Sequence, residues 1–207
     1  MRVSLMVISP YSEKIIEDAG RTAYLSLKRK GWKIKKKFIK MLIKKGHFAV
    51  LEHASATFRI KGVSRACTHQ LVRHRLCSFV QQSQRYVDEA NFDYVEPAAI
   101  KKNKKAHYLF ANFIKKAKET YKDLQKLGVK NEDARFVLPN AVVSEIVVTA
   151  NFREWRHIIE LRGSSEAQWE IRKVVIEILK ILRKHAPTVF GDFKIDNKKE
   201  IIINKKI

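Results

Sequence analysis

Strand-like and helix-like apolar patterns follow one another along this chain, and both have to be accommodated in one fold. The clearest strand pattern is A-V-V-S-E-I-V-V-T-A at residues 141–150, which is rich in β-branched residues. Alternating or continuous apolar residues predict three more strands, at residues 1–9, 54–62 and 85–95. The segments between them have helical periodicity, so the patterns predict a fold of the α+β class.

Two long helices have the clearest periodicity. The apolar side chains of residues 98–127 recur at helical spacing up to the expected stop at Gly128. Residues 165–184 begin with a capping box of Ser165 and Gln168 and continue as an apolar stripe. Shorter helices are predicted at residues 12–27, 28–46, 64–76, 131–137 and 152–161. We expect a single α+β domain over residues 1–207, with a mixed or antiparallel sheet packed against these helices and a basic tail at residues 193–207.

The charge of the chain is strongly positive. Lysine and arginine outnumber aspartate and glutamate by 43 to 21, and the formal net charge is +22. This balance favours anionic partners, although most lysines are scattered as in the lysine-rich surfaces of hyperthermophilic proteins. The most basic run, residues 28–45, fits a solvated helix face better than a surface for nucleic acid or a membrane. Without an aromatic RNA-binding motif, we expect neither of these partners.

The length of the apolar runs bears on localisation. No run is long enough to span a bilayer, and the N-terminus lacks the pattern of a secretion signal. We therefore expect a cytoplasmic protein.

Residues 71–86 concentrate groups that bind anions. These sixteen residues hold three arginines, one histidine, two serines and three glutamines. The planar guanidinium group matches phosphates and heterocycle edges with paired hydrogen bonds. A surface cluster of salt bridges is the alternative, but acids follow only at Asp88 and Glu89. The segment therefore predicts a site for an anionic, nucleotide-like ligand.

Metal and thiol chemistry have weaker support in the sequence. His47, His53, His69 and His74 lack the spacing of zinc ligands on a helix, and no cysteine pair accompanies them. We therefore predict no metal site. Cys67 and Cys77 are the only cysteines, and a small thiol of this kind more often packs than reacts.

The motif R-H-R-L-C-S-F-V-Q-Q-S-Q-R-Y at residues 73–86 resembles the signature of the flavin-dependent thymidylate synthases. G-H-F-A-V-L-E-H at residues 46–53 is similar to the segment that precedes this signature in the family. A-R-F-V-L-P, N-F-R-E-W-R-H and L-R-G-S-S-E-A-Q-W-E-I, which begin at residues 134, 151 and 161, resemble downstream segments in the same order. Five matches between residues 46 and 171 make the resemblance specific.

The resemblance implies a reaction and an assembly. The family methylates dUMP to dTMP with 5,10-methylenetetrahydrofolate as carbon donor and NAD(P)H as reductant, through a tightly bound FAD and without a cysteine nucleophile. It has a mixed α+β fold and forms homotetramers whose active sites are shared between subunits. For this chain it therefore implies a homotetramer in which residues 70–73 of one subunit and residues 81–85 of another bind one dUMP.

Roles for individual residues are implied by the same resemblance. The catalytic candidate is Arg162, placed at the uracil ring, where a cation favours ionisation of ring nitrogen 3. The residues expected to bind the flavin are His47, Ala49, Arg73, His74, Arg75, Gln81, Asn151, Phe152, Arg153 and His157. The residues expected to bind dUMP are Gln70, Leu71, Val72, Arg73, Gln81, Gln82, Ser83, Gln84, Arg85, Arg135 and Arg162.

Three positions depart from the family pattern. Ala49 replaces a Ser or Thr, Gln81 replaces a Glu of some members, and Glu166 replaces a His of some members. Each departure removes one side-chain contact or charge that the family would supply. A basic nucleic-acid-binding protein, and a family member that keeps FAD but has lost methyl transfer, are the alternatives.

Overall fold

The computed structural model describes residues 1–23, 25–26 and 32–204, with the backbone alone of Trp32. The described strands and α-helices follow in the order β1 (Arg2–Ile8), α1 (Ser12–Ala23), α2 (Trp32–Lys44), β2 (Ser55–Ser64), α3 (Arg65–Leu71), β3 (Cys77–Gln81), α4 (Ala98–Lys102), α5 (Lys104–Lys126), α6 (Asn131–Ala134), β4 (Val143–Asn151), α7 (Phe152–Arg162), α8 (Trp169–His185), α9 (Pro187–Phe190), β5 (Phe193–Asp196) and β6 (Ile201–Asn204). Two 3₁₀ helices, Phe48–His53 and Arg135–Val137, complete the described elements.

The central element is a four-stranded antiparallel sheet in the order β1-β2-β4-β3. At one end of the β2–β4 pair the Arg65 N–H donates to the Val142 carbonyl, and at the other the Phe152 N–H donates to the Ala54 carbonyl. Alternate residues of β4 are buried, as expected for a strand whose two faces have different surroundings. The α+β class and the antiparallel sheet are therefore confirmed.

The chain forms two compact units, and β2, β3 and β4 run from one unit into the other. The first unit comprises residues 1, 61–70 and 80–146, and the second comprises residues 2–60, 71–79 and the chain from residue 147 onward.

The first unit has its core around α5. Ile114, Ala117 and Tyr121 are the buried residues of this helix, and Ile114 and Ala117 form a cluster with Phe92 and Val142. The Tyr121 hydroxyl accepts a hydrogen bond from the Glu89 N–H at 3.4 Å. Burial of this helix face holds the segment that follows β3 in place.

The second unit has its core around α7 and α8. Trp155 is fully buried, donates from Nε1 to the Ala56 carbonyl at 3.0 Å, and packs edge-to-face on Phe58. The buried Arg156 pairs with Asp192 and also donates to the Val189 carbonyl. These contacts fix α7 against the sheet and against the segment after α9.

Two helix predictions need correction. The helix predicted at residues 98–127 is divided, because the Asn103 side chain accepts hydrogen bonds from the N–H groups of Lys105 and Ala106 and caps a new helix. The helix predicted at residues 165–184 begins at Trp169, and Gln168 caps it instead of Ser165. In both cases a polar side chain satisfies free N–H groups at a point that apolar spacing does not mark.

The strand predictions were wrong at one place and incomplete at two. Residues 85–95 form no described strand and pair only at the isolated bridge between Tyr94 and Val142, because Asp88 and Glu89 take part in local turns. The tail predicted at residues 193–207 contains the antiparallel hairpin of β5 and β6. Strand β3 was not predicted, since its residues belong to the polar signature motif.

Other predicted segments are confirmed with shifted ends. The helix predicted at residues 12–27 ends at Ala23, and the one predicted at residues 64–76 ends at Leu71. Residues 28–31 of the basic run lie outside the described residues. Over the described part of the chain, none of the helices has the length and apolar character needed to cross a bilayer.

Candidate active site

A cavity of about 600 Å³ lies in the second unit, within the range of roughly 300–1,000 Å³ that is typical of small-molecule sites. Its wall is formed by Phe48, Arg73, His74, Arg75, Leu76, Arg153, Glu154, Arg156, His157, Glu160 and Asn204. Most of these residues come from the segment after α3 and from α7. The start of α7 is fixed by Asn151, whose side chain accepts a hydrogen bond from the Glu154 N–H at 2.8 Å.

The charge of this cavity is mainly positive. Arg153 pairs with Glu52, and Arg156 pairs with Asp192. Arg73 and Arg75 are exposed, and neither has a hydrogen bond or ion pair with another described residue. Two uncompensated guanidinium groups at the mouth of a cavity attract an anionic ligand.

His74 is the buried centre of a hydrogen-bonded chain in this wall. Its Nδ1 lies 3.1 Å from Glu154 Oε1, and the Nε of Arg162 donates to its Nε2 at 3.1 Å. Burial lowers the pKa of His74, the Arg162 charge lowers it further, and the hydrogen bond to Glu154 opposes both. The ring is therefore held neutral near pH 7.

Arg162 lies at the last turn of α7 and is partly buried. Burial lowers its pKa, and the charge of Arg73 lowers it further. The structure thus brings the catalytic candidate close to Arg73 and His74 of the signature motif, and its contact with the uracil ring stays a prediction.

His74, Glu154 and His157 form a group with the composition of a metal site. One potential ligand atom from each lies within 4.8 Å of the other two. However, Arg162 donates to the Nε2 lone pair of His74. The arginines that line the same cavity also oppose a divalent cation by Coulomb repulsion. The absence of a functional metal therefore stays a prediction.

A second group of predicted site residues lies in the first unit. Arg85 pairs with the Glu132 carboxylate at 3.1 Å, and Arg135 donates from Nε to the Glu132 carbonyl at 3.0 Å. Ser83 lies in the turn before Arg85, and its hydroxyl accepts from the Arg85 N–H at 3.3 Å. Glu132 thus links the two arginines that were predicted to bind dUMP.

Arg65 and Glu89 belong to the same unit and were not predicted as site residues. Gln82 donates to the Glu89 carboxylate at 3.0 Å. Burial raises the pKa of Glu89, and burial together with the charge of Arg135 lowers the pKa of Arg65. Arg65 directly precedes A-C-T-H-Q-L in the sequence, so its position ahead of the signature motif was the available signal.

Gln81 is held inside the first unit. Its amide nitrogen donates to the Thr68 hydroxyl at 2.9 Å and to the Ser144 hydroxyl at 3.0 Å. These bonds use both N–H groups of the Gln81 amide, and its contacts with the flavin and dUMP stay predictions.

The remaining predicted residues lie in varied environments. Gln70 donates to the Ala66 carbonyl in α3, Leu71 and Gln84 are buried, and Val72 is 36% exposed. The contacts of these four residues with dUMP therefore stay predictions.

Five predicted flavin residues are not in the cavity wall, and one of them is Gln81 of the first unit. His47 and Ala49 are exposed, and Phe48 between them lines the cavity instead. Phe152 is fully buried and packs edge-to-face on Phe190. Their contacts with a flavin also stay predictions, as do those of Asn151, which caps α7.

Sequence reasoning missed the cavity residues Phe48, Leu76, Glu154, Arg156, Glu160 and Asn204. Three of these lie on α7, where their spacing from Arg153 and His157 was the available signal. Asn204 had no such signal, because it reaches the cavity only through the β5–β6 hairpin.

Comparison with known proteins defines the class to which this chain belongs. Residues 4–188 match the family model described as thymidylate synthase complementing protein. The chain belongs to this family.

Named relatives agree with this assignment. The chain is 48% identical over 162 residues to the flavin-dependent thymidylate synthase of Nitratidesulfovibrio vulgaris, a match that covers 74% of this chain and 66% of that protein. It is 40% identical over 200 residues to the enzyme of the same name from Geobacter sulfurreducens, with 93% and 86% covered. The corresponding enzyme of Corynebacterium glutamicum is 39% identical over 202 residues, with 89% and 81% covered.

Proposed function

We propose that this protein is a flavin-dependent thymidylate synthase that converts dUMP to dTMP with 5,10-methylenetetrahydrofolate and NAD(P)H. The family membership supports the reaction class. The observation that carries the proposal within this chain is the cationic cavity lined by Arg73 and His74, with Arg162 hydrogen-bonded to His74.

The residues of the cavity fit an FAD. The pyrophosphate of FAD is anionic, and Arg73 and Arg75 offer guanidinium groups that are not neutralised within the described chain. Arg153 adds a third cation, and His157 and Phe48 offer rings against which a flat heterocycle packs. When bound and reduced by NAD(P)H, the flavin supplies the hydride of the reductive methylation.

The substrate side of the proposal rests on two separate groups of arginines. Arg85 and Arg135, with Ser83, offer donors suited to the phosphate of dUMP. Arg162 would lie at the uracil ring, where its charge stabilises the anion that forms when ring nitrogen 3 is deprotonated. The negative charge of the deprotonated ring makes carbon 5 more electron-rich, so the reaction needs no enzyme nucleophile.

The cysteines support a route without thiol attack. Cys67 is 2% exposed. Burial raises the pKa of Cys77 to about 12, and the charge of Glu154 adds to the effect. Since the thiolate is the nucleophilic form, a thiol of this kind is unreactive near neutral pH.

We further propose a cytoplasmic homotetramer with active sites shared between subunits. Helix α5 leaves Tyr108, Leu109 and Phe113 exposed to 66%, 69% and 56%. Large apolar side chains that are grouped on one exposed helix indicate an interface. We assign this face to a second copy of the chain, because the family resemblance implies that residues from two subunits surround one dUMP.

Spectroscopy tests the cofactor part of this proposal. We expect the purified protein to be yellow and its flavin absorbance to bleach under anaerobic conditions when NADPH is added. A colourless protein that neither takes up FAD nor forms dTMP would refute the proposed function. Binding to RNA or DNA that weakens steeply with salt, without any flavin, would instead support the nucleic-acid alternative.

A further inference from the structure

Glu154 has no role in the proposed reaction, although it is a buried carboxylate beside the catalytic candidate. It is 6% exposed, and its Oε1 lies 3.1 Å from Nδ1 of His74. The opposite ring nitrogen of His74 accepts from Arg162 Nε at 3.1 Å. A continuous chain of two hydrogen bonds therefore leads from Glu154 in the first turn of α7 to Arg162 in its last turn.

The hydrogen bonds select one form of the histidine. An ionised carboxylate can only accept a hydrogen bond, so Nδ1 of His74 must carry the proton. A guanidinium group can only donate, so Nε2 must carry the lone pair. Only the neutral Nδ1–H tautomer satisfies both neighbours, and protonation at Nε2 would remove the acceptor of Arg162.

We propose that Glu154 is a positioning residue, which acts through the Nδ1–H tautomer of His74 to orient the guanidinium group of Arg162. The inference deepens the proposed function and rests on it for the role of Arg162. Holding Arg162 through Nε fixes the plane of the guanidinium group, so its terminal nitrogens keep one direction relative to α7. An arginine fixed in this way needs no reorganisation when charge develops on the substrate.

Replacement of Glu154 by glutamine removes the preference for the Nδ1–H tautomer of His74 and hardly changes the shape of the side chain. A glutamine amide can accept from Nδ1–H or donate to an unprotonated Nδ1, so it supports either tautomer. We expect Glu154→Gln to lower kcat for dTMP formation about 10- to 100-fold, the usual size for loss of a charge-assisted hydrogen bond. The KM for dUMP and the affinity for FAD should change much less.

The control is Glu17→Gln. Glu17 is a similarly buried carboxylate, 5% exposed, that pairs with Arg21 in α1 and does not line the cavity. Its replacement should lower stability and leave kcat unchanged. Equal losses of kcat in the two variants would overturn the proposal, because they would show a general structural effect.

A double-mutant cycle separates positioning from structural support. If Glu154 acts through Arg162, then Glu154→Gln should have little further effect on kcat in an Arg162→Ala background. Additive losses of kcat would contradict the proposal.

The pH dependence of kcat is a second readout. The titratable groups that face His74 are Glu154, Arg162 and His157, all on α7. Activity should fall as the pH drops through the pKa of His74, because the protonated ring cannot accept from Arg162. The carboxylate raises that pKa, so Glu154→Gln should move the acid limb to lower pH while lowering the plateau. An unmoved limb would count against the inference.

One measurement tests the proposal without relying on enzymatic activity. In wild-type protein labelled with ¹⁵N-histidine, long-range proton–nitrogen correlations should show His74 as the neutral Nδ1–H tautomer near pH 7, with the signal assigned by its loss in His74→Asn. An Nε2–H tautomer or a protonated ring would overturn the proposal even if the Glu154 and Arg162 variants fail to fold. If instead the tautomer is as predicted and no dTMP is made, the proposed function fails and the hydrogen-bonded chain stands.

Discussion

Arg162, at the end of α7, is the residue to which we assign the catalytic role. Arg162 is partly buried, donates from Nε to His74, and has its pKa lowered by burial and by the charge of Arg73. Arg162→Ala should reduce kcat for dTMP formation by about 100- to 1,000-fold, as removal of one preorganised donor usually does. Binding of FAD, measured by fluorescence titration, should weaken far less. Comparable losses in both measurements would show that its role lies with the flavin.

If Arg85 binds the phosphate of dUMP, as proposed, Glu132 competes with the substrate for this cation. Its carboxylate pairs with Arg85, and both side chains are about half exposed. Such a pair contributes about 0.2–1 kcal/mol, so Glu132→Gln should lower the KM for dUMP by about 1.5- to 5-fold. The backbone carbonyl that receives Arg135 is kept in the variant.

The matched control is Asp133→Asn, which removes the same charge from the same helix at a residue without an ion pair to Arg85. Steady-state kinetics at constant ionic strength separates the two variants. If both lower the KM for dUMP equally, the effect is one of net charge and the Arg85–Glu132 pair is irrelevant to binding.

Helix caps connect the elements to the site. The Asn151 side chain caps α7, which carries Glu154, His157 and Arg162. Asn151→Ala should cost about 1 kcal/mol of folding stability and should also weaken flavin binding, because the first turn of α7 forms part of the cavity. Urea unfolding and FAD titration measure the two effects.

Asn103→Ala provides the comparison for this prediction. Asn103 caps α5 in the first unit with two hydrogen bonds and does not line the cavity. It should lose similar stability while binding FAD normally. Normal FAD binding by the Asn151 variant would show that the site does not depend on this cap.

Several elements could be predicted from the sequence because one pattern determined them. The β-branched run at residues 141–150 and the apolar stripe of α8 each have one dominant period, and both appear as β4 and α8. The break at Asn103 was hidden because apolar spacing continues across it. Strand β3 was hidden because its side chains are polar or only partly buried.

The site was predictable to a similar degree. Arg73, His74, Arg75, Arg153, His157 and Arg162 could be singled out because each belongs to a recognisable motif. The first five line the cavity, and Arg162 is hydrogen-bonded to His74. Glu154 was missed because its role depends on a contact with His74 across 80 residues of chain. A local sequence pattern cannot reveal a contact between residues that are so far apart in the sequence.

At the scale of the whole molecule, the exposed face of α5 is where assembly can be tested. Phe113 is 56% exposed within an otherwise lysine-rich helix. If this face contacts a second copy, Phe113→Glu should shift the protein from a tetramer to a smaller species in light scattering, because burying an unpaired carboxylate opposes association. Lys116→Glu, an exposed change on the same helix, should leave the assembly intact. A tetrameric Phe113→Glu variant would place the interface elsewhere.

The central claim concerns the reaction of the complete protein. The most direct measurement is an anaerobic turnover assay of the flavin-loaded wild-type protein with dUMP, 5,10-methylenetetrahydrofolate and NADPH, in which dTMP is quantified by chromatography. We predict dTMP formation that requires all three substrates and that persists in a Cys67→Ala, Cys77→Ala double variant. Flavin reduction without any dTMP, or loss of dTMP formation in a folded and flavin-loaded double variant, would contradict the account.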